Sequence, residues 1–267
     1  MVDIENLELL YFCNGTPVPY KLKDGGNVNI YPILVKDKNI YDYCSQILQI
    51  KKNEINDIEI IQMSYLEFLL KKVIVPDESR AYQGQLYNIF RYCLHENNIS
   101  FCMEDGNFFY KNNKICIFIF EDDWKTIKAI ITPSDFDDIS KIILFQNDPD
   151  YDDRYLSPEV REIVSEYYKL KYNDITSPTL EKQKAFVISK TGIALNELNE
   201  MTYRMFSEVY SAGIDSEIYI GQKIIQGSEK YITKKDIIHP MFAKKEDKIE
   251  AAFTSKDTVE NKIKNLT

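Results

Sequence analysis

Apolar residues in this chain recur with two periods, and each change of period marks a change of element. Between residues 7 and 35 they alternate with polar ones or form short runs bounded by turn formers. That predicts strands over 7–12, 17–23 and 28–35, the last two joined by the turn Asp24-Gly25-Gly26-Asn27. Pro32 interrupts the third run, which is an edge strand or splits in two. From Asp37 the spacing widens to three and four. Ile40, Tyr43, Cys44, Ile47 and Leu48 then share one face of a helix over 37–50. After a polar connection, helices are predicted over 58–74 and 78–96, with Pro76-Asp77 between them.

At Ile99 the period returns to two. Strands over 99–103, 108–111 and 114–120, linked by Glu104-Asp105-Gly106-Asn107 and Asn112-Asn113, read as an antiparallel β-meander. A further strand over 126–132 leads into a helix over 133–146, with Phe136, Ile139, Ile142 and Ile143 inward. Residues 147–154 place four aspartates around a proline, a composition that marks an exposed linker.

The rest is helical. Ser157-Pro158-Glu159 and Ser177-Pro178 are helix starts, and Gly192 is a helix stop. A long helix over 193–213 buries Leu195, Leu198, Met201 or Thr202, Met205, Val209 and Ala212, with Glu197, Glu200, Arg204 and Glu208 opposite. A fourth helix runs over 215–226. The predicted class is α+β. A mixed α/β part with the meander spans 1–147, a small helical domain spans 155–238, and a polar tail spans 239–267. Val259, Ile263 and Leu266 give that tail a short docking stripe, or it stays loosely ordered until bound.

Composition refines this picture. The 267 residues exceed the usual single domain, and 44% hydrophobic content, with 19 Tyr and 14 Phe, supports a real core. A net charge of −9 argues against a nucleic-acid partner, which needs a basic face. Cys13, Cys44, Cys93, Cys102 and Cys116 are odd in number and far apart, which predicts buried free thiols in a reducing compartment. The acidic start is unlike a secretory signal, and the longest apolar run, 115–120, is too short to span a bilayer, so no membrane partner is expected.

Candidate chemistry is sparse. The two histidines, His95 and His239, are distant in sequence, and the glycines form no phosphate loop. Nucleophile-elbow, zincin and EF-hand patterns are missing too, so no catalytic set, metal site or cofactor is predicted. One enzyme alternative stands: a metal-dependent nuclease using Asp123 and Lys125, with Asp105 as a further ligand. Its rival is a solvated acidic turn. The aspartates from Asp148 to Asp153 lack the glycine and distal glutamate of a calcium loop. Tyr167, Tyr168, Tyr203, Tyr210 and Tyr219 form an interface or half-buried core.

Two stretches carry a resemblance. Tyr31-Pro32-Ile33-Leu34-Val35-Lys36-Asp37, leading to Met63-Ser64-Tyr65-Leu66-Glu67-Phe68-Leu69, resembles opening segments of small tail-morphogenesis proteins of prophages from low-GC Gram-positive bacteria. Residues 156–213, with Gly192-Ile193, Glu197-Leu198, Met201-Thr202-Tyr203 and Phe206, resemble the helical part of tailed-phage tail assembly chaperones and base-plate proteins. The resemblance implies a non-enzymatic tail protein, either an assembly chaperone or a tail or base-plate component. Its partners would be other phage tail proteins in a homo- or hetero-oligomeric assembly. Its location would be the cytoplasm of the bacterial host or the virion tail. Met201, Tyr203, Met205 and Phe206 are the expected partner-facing set. A regulatory binding module that shares the helical unit is the remaining alternative.

Overall fold

A computed structural model describes residues 15–52, 55, 57–101, 108–148, 151, 158–171, 178–227 and 251. The first predicted strand, linker residues 149–150 and 152–154, and the tail stripe lie outside the described residues. The fold is α+β, and the chain forms two compact units. One comprises Met1–Asp152 with Ala194–Glu208, the other Asp153–Ile193 with Val209–Thr267.

The first unit opens on the predicted hairpin. Strands β1 (Val18–Lys21) and β2 (Asn27–Ile30) pair antiparallel, Val18 opposite Ile30. Strict alternation puts Val18, Tyr20, Val28 and Ile30 inward. Gly25 and Gly26 turn the chain at φ 90° and 85°, a conformation that glycine adopts without strain. Helix α1 (Lys38–Ser45) is flanked by 3-10 turns over Val35–Asp37 and Gln46–Gln49.

The helix expected over 58–74 is broken. Helix α2 (Ile58–Gln62) stops at Met63, and α3 (Tyr65–Phe68) continues as a π-helical turn over Leu69–Ile74. The cause is local. Ser64 is extended, and its side chain accepts from the Glu67 amide as an N-cap, while Lys52 Nζ donates to the carbonyls of Ile61 and Met63 that α2 leaves open. An apolar period runs straight through such a cap, so period alone misses it.

Helix α4 (Ala81–Leu94) buries Leu86, Ile89, Phe90 and Cys93 and ends at His95, which is left-handed at φ 55°. The strands that follow are all antiparallel, as a meander requires, but their order is not sequential. Strands β3 (Ile99–Ser100), β6 (Ile117–Phe120) and β7 (Ile127–Ile131) form one sheet in that order. Strands β4 (Tyr110–Lys111) and β5 (Lys114–Ile115) make a separate hairpin across Asn112-Asn113, both at positive φ. Helix α5 (Pro133–Asn147) starts in a capping box between Thr132 and Asp135. Its residues Phe136, Ile139, Ile142 and Ile143 are buried in the core, where the Phe136 ring meets Phe90 edge-on at 5.9 Å. Cys44, Cys93 and Cys116 are buried and free, as the sequence predicts, and Cys13 and Cys102 lie outside the described residues.

In the second unit, helix α6 (Pro158–Lys171) begins at the predicted proline. Helix α7 (Leu180–Thr191) follows Thr179 rather than Ser177 and ends at Gly192, left-handed at φ 72°. The long helix of 193–213 is also redrawn. Helix α8 (Leu195–Glu200) ends at an extended Met201, and α9 (Tyr203–Gly227) runs on without a stop at Gly213. Gly213 lets α7 come close: a Cβ there would lie 2.7 Å from a Phe186 ring carbon. Phe186 also meets Tyr210 edge-on at 5.6 Å, and Lys190 pairs with Glu217.

Candidate functional site

The expected partner-facing residues sit where the chain re-enters the first unit. Thr202 makes the break between α8 and α9. Its hydroxyl accepts from the Met205 amide at 3.3 Å, and its carbonyl accepts from the Phe206 amide at 3.0 Å. The extended Met201-Thr202 link then pairs with the segment after β2. The Val35 amide donates to Met201 O, the Tyr203 amide donates to Ile33 O, both at 2.9 Å, and Leu34 bridges Thr202 antiparallel. Lys36 adds an ion pair to Glu200 at 2.7 Å. These bonds fasten residues 194–208 to the first unit, although their helical period places them in the helical domain.

The four partner candidates therefore do not share one face. Phe206 is 1% exposed and belongs to the core, which corrects its assignment as a contact residue. Tyr203 packs half-buried against the core, with the Lys38 ammonium 4.4 Å from its ring centre. Met201 is half-buried. Only Met205, at 39%, stands open to solvent. Of the tyrosines, Tyr210 packs on Phe186, and Tyr167 and Tyr219 are half-buried. The side chain of Tyr168 lies outside the described residues.

Beside this joint, wholly within the first unit, lies a cleft of about 430 Å³. Tyr31, Asp37, Arg91, His95, Asn97 and Thr202 are among its lining residues. The Tyr31 and His95 rings stack at 3.9 Å and 9°. Asp37 is half-buried, and burial raises its carboxyl pKa above the usual range. The Lys36 ammonium opposes that shift and the Glu200 carboxylate reinforces it. The sequence offers one late clue to this cleft: a histidine, not a glycine, in the residue after α4. Nothing local links it to Tyr31.

The nuclease candidates form a turn. Asp123 accepts from the amides of Lys125 and Thr126 at 2.9 and 2.8 Å and from the Thr126 hydroxyl at 2.7 Å. Those bonds lower its carboxyl pKa. Asp105 and His239 lie outside the described residues. Among the described residues, no three His, Cys, Asp or Glu side chains gather as metal ligands. No described helix is long and apolar enough to cross a membrane. No protein-family model, curated protein or solved structure matches this chain.

Proposed function

We propose that the protein acts without catalysis, through protein–protein contacts in the assembly of a phage tail, as an assembly chaperone or as a tail or base-plate component. The tail assignment rests on the resemblance of residues 31–71 and 156–213. The contact mode rests on one observation in α9. Ile218, Ile220, Ile224 and Ile225 are 49%, 51%, 68% and 54% exposed. They form two rows on roughly opposite sides of the helix, Ile218 with Ile225 and Ile220 with Ile224, with Gln222, Lys223 and Gln226 between them. Solitary exposed isoleucines are ordinary, but four within eight residues give α9 two apolar rows of the kind that partners cover.

Titration of the full chain with purified tail proteins from the same gene cluster tests this reading. A dissociation constant of about 1 μM or tighter is expected for at least one of them. The pair Ile218→Ser with Ile225→Ser should weaken it at least about tenfold, the worth of two buried aliphatic side chains. Binding to none of them, or binding indifferent to the serines, contradicts the proposal. Mass spectrometry of purified virions then separates a retained component from a chaperone.

A further inference from the structure

The cleft of the first unit holds two opposite charges that the contact reading leaves unused. Arg91 and the Asp37 carboxylate both line it, and neither has an ion-pair or side-chain hydrogen-bond partner among the described residues. They do not neutralise each other. Lys36, the cation next to Asp37 in sequence, is turned to Glu200. A half-buried carboxylate without a donor is costly, and its raised pKa records that cost. Arg91 is exposed on α4, so its side chain can be engaged without unfolding anything.

The walls between these charges are fixed. The Tyr31 amide donates to Cys93 O at 2.7 Å, and the Ile33 amide donates to Asn147 Oδ1 at 2.8 Å. His95 is held left-handed, a strained state for a residue with a side chain, and its ring lies flat on Tyr31. The cleft is therefore preformed, and a ligand there need not order its walls on binding.

We propose that this cleft binds a zwitterion of about dipeptide size, its carboxylate held by Arg91, its ammonium by Asp37 and a flat side chain lying on the Tyr31–His95 pair. A guanidinium takes a carboxylate by two parallel hydrogen bonds, and a desolvated carboxylate takes an ammonium. The 430 Å³ volume suits such a ligand and falls within the range of small-molecule pockets. A free peptide and a stretch of a partner chain with a lysine near a glutamate offer the same chemistry. The proposal stands apart from the tail assignment, and its failure would leave the isoleucine surface of α9 untouched.

Isothermal titration of the full chain with four probes tests it: the dipeptide Ala-Phe, its N-acetyl form, its C-terminal amide, and Lys-Ala-Phe-Glu capped at both ends. Masking either charge of Ala-Phe should weaken binding about tenfold or more, as loss of a charge-assisted hydrogen bond does. Arg91→Gln should weaken Ala-Phe by a similar factor and leave the amide unchanged. Asp37→Asn should do the same for Ala-Phe against its N-acetyl form. Binding of the capped peptide alone with the same dependence on Arg91 and Asp37 assigns the cleft to a chain segment; binding of the dipeptide alone assigns it to a free zwitterion. Equal affinity for every charge form, saturation by no probe, or affinity unmoved in both variants overturns the proposal. Far-ultraviolet circular dichroism on both variants confirms that they fold.

Discussion

Asp135 ties the β1–β2 hairpin to α5. Its carboxylate is fully buried and accepts from the Tyr20 hydroxyl at 3.1 Å, the Lys23 amide at 3.2 Å, and the Thr132 amide and hydroxyl at 3.1 and 2.6 Å. Replacing it with alanine removes the shared acceptor that joins the hairpin to the start of α5; the Tyr20 hydroxyl keeps Asp138 Oδ2 at 2.9 Å, whereas the part-buried Lys23 amide and Thr132 donors lose theirs. Asp135→Ala should cost about 2–4 kcal/mol in urea unfolding, whereas Tyr20→Phe, which removes one hydroxyl, should cost about 1 kcal/mol. Buried acids of another kind set the alkaline limit. Burial raises the pKa of the Cys44 and Cys93 thiols above their ordinary 9.0, and those of the Tyr41 and Tyr65 phenols above their ordinary 10.0. The unfolded chain releases these protons first, so above pH 9 the folded state binds more protons and stability falls as pH rises. Below pH 9 this contribution is fully present. The urea midpoint should therefore hold steady from pH 7 to about 8.5 and drop steeply by about pH 10.5; a midpoint flat across that span contradicts the assignment.

Helices and turns that depend on neighbouring residues could be read directly from the chain. The Asp24-Gly25-Gly26-Asn27 turn, the Asn112-Asn113 hairpin, the Pro133 and Pro158 helix starts and the Gly192 stop all formed where expected. Missed features are of two sorts. At Ser64 and Thr202 a side-chain cap interrupts a helix although the apolar spacing continues, because a cap satisfies backbone groups and leaves the buried stripe in phase. At Ile33–Val35 and Met201–Tyr203 backbone pairing joins segments far apart in sequence, and no local pattern encodes that. The cleft depends on the same distant meeting, so no local pattern joins Tyr31, Asp37 and Arg91. Thr202→Ala should therefore cost about 1 kcal/mol through the lost cap. In α9 two glycines should behave oppositely. Gly221 has open space around its missing Cβ, so Gly221→Ala should raise stability by up to about 1 kcal/mol through helix propensity. At Gly213 the methyl would meet the Phe186 ring, so Gly213→Ala should lose about 1–3 kcal/mol of packing and end destabilised. Thermal melts of both variants check the sign.

For the molecule as a whole, the first unit is built around buried helices and a small sheet, while α9 ends in isoleucines that face solvent. A chain that spends apolar residues in this way gains from them only when something covers them. Hydrogen–deuterium exchange of the full chain, with and without a tail protein that binds it, measures this most directly. Covering the isoleucines should slow amide exchange across residues 214–227 and leave the Asp122–Thr126 turn unchanged. Protection confined to that turn, or to α4 and the cleft, with 214–227 exchanging at its free rate, would contradict the account.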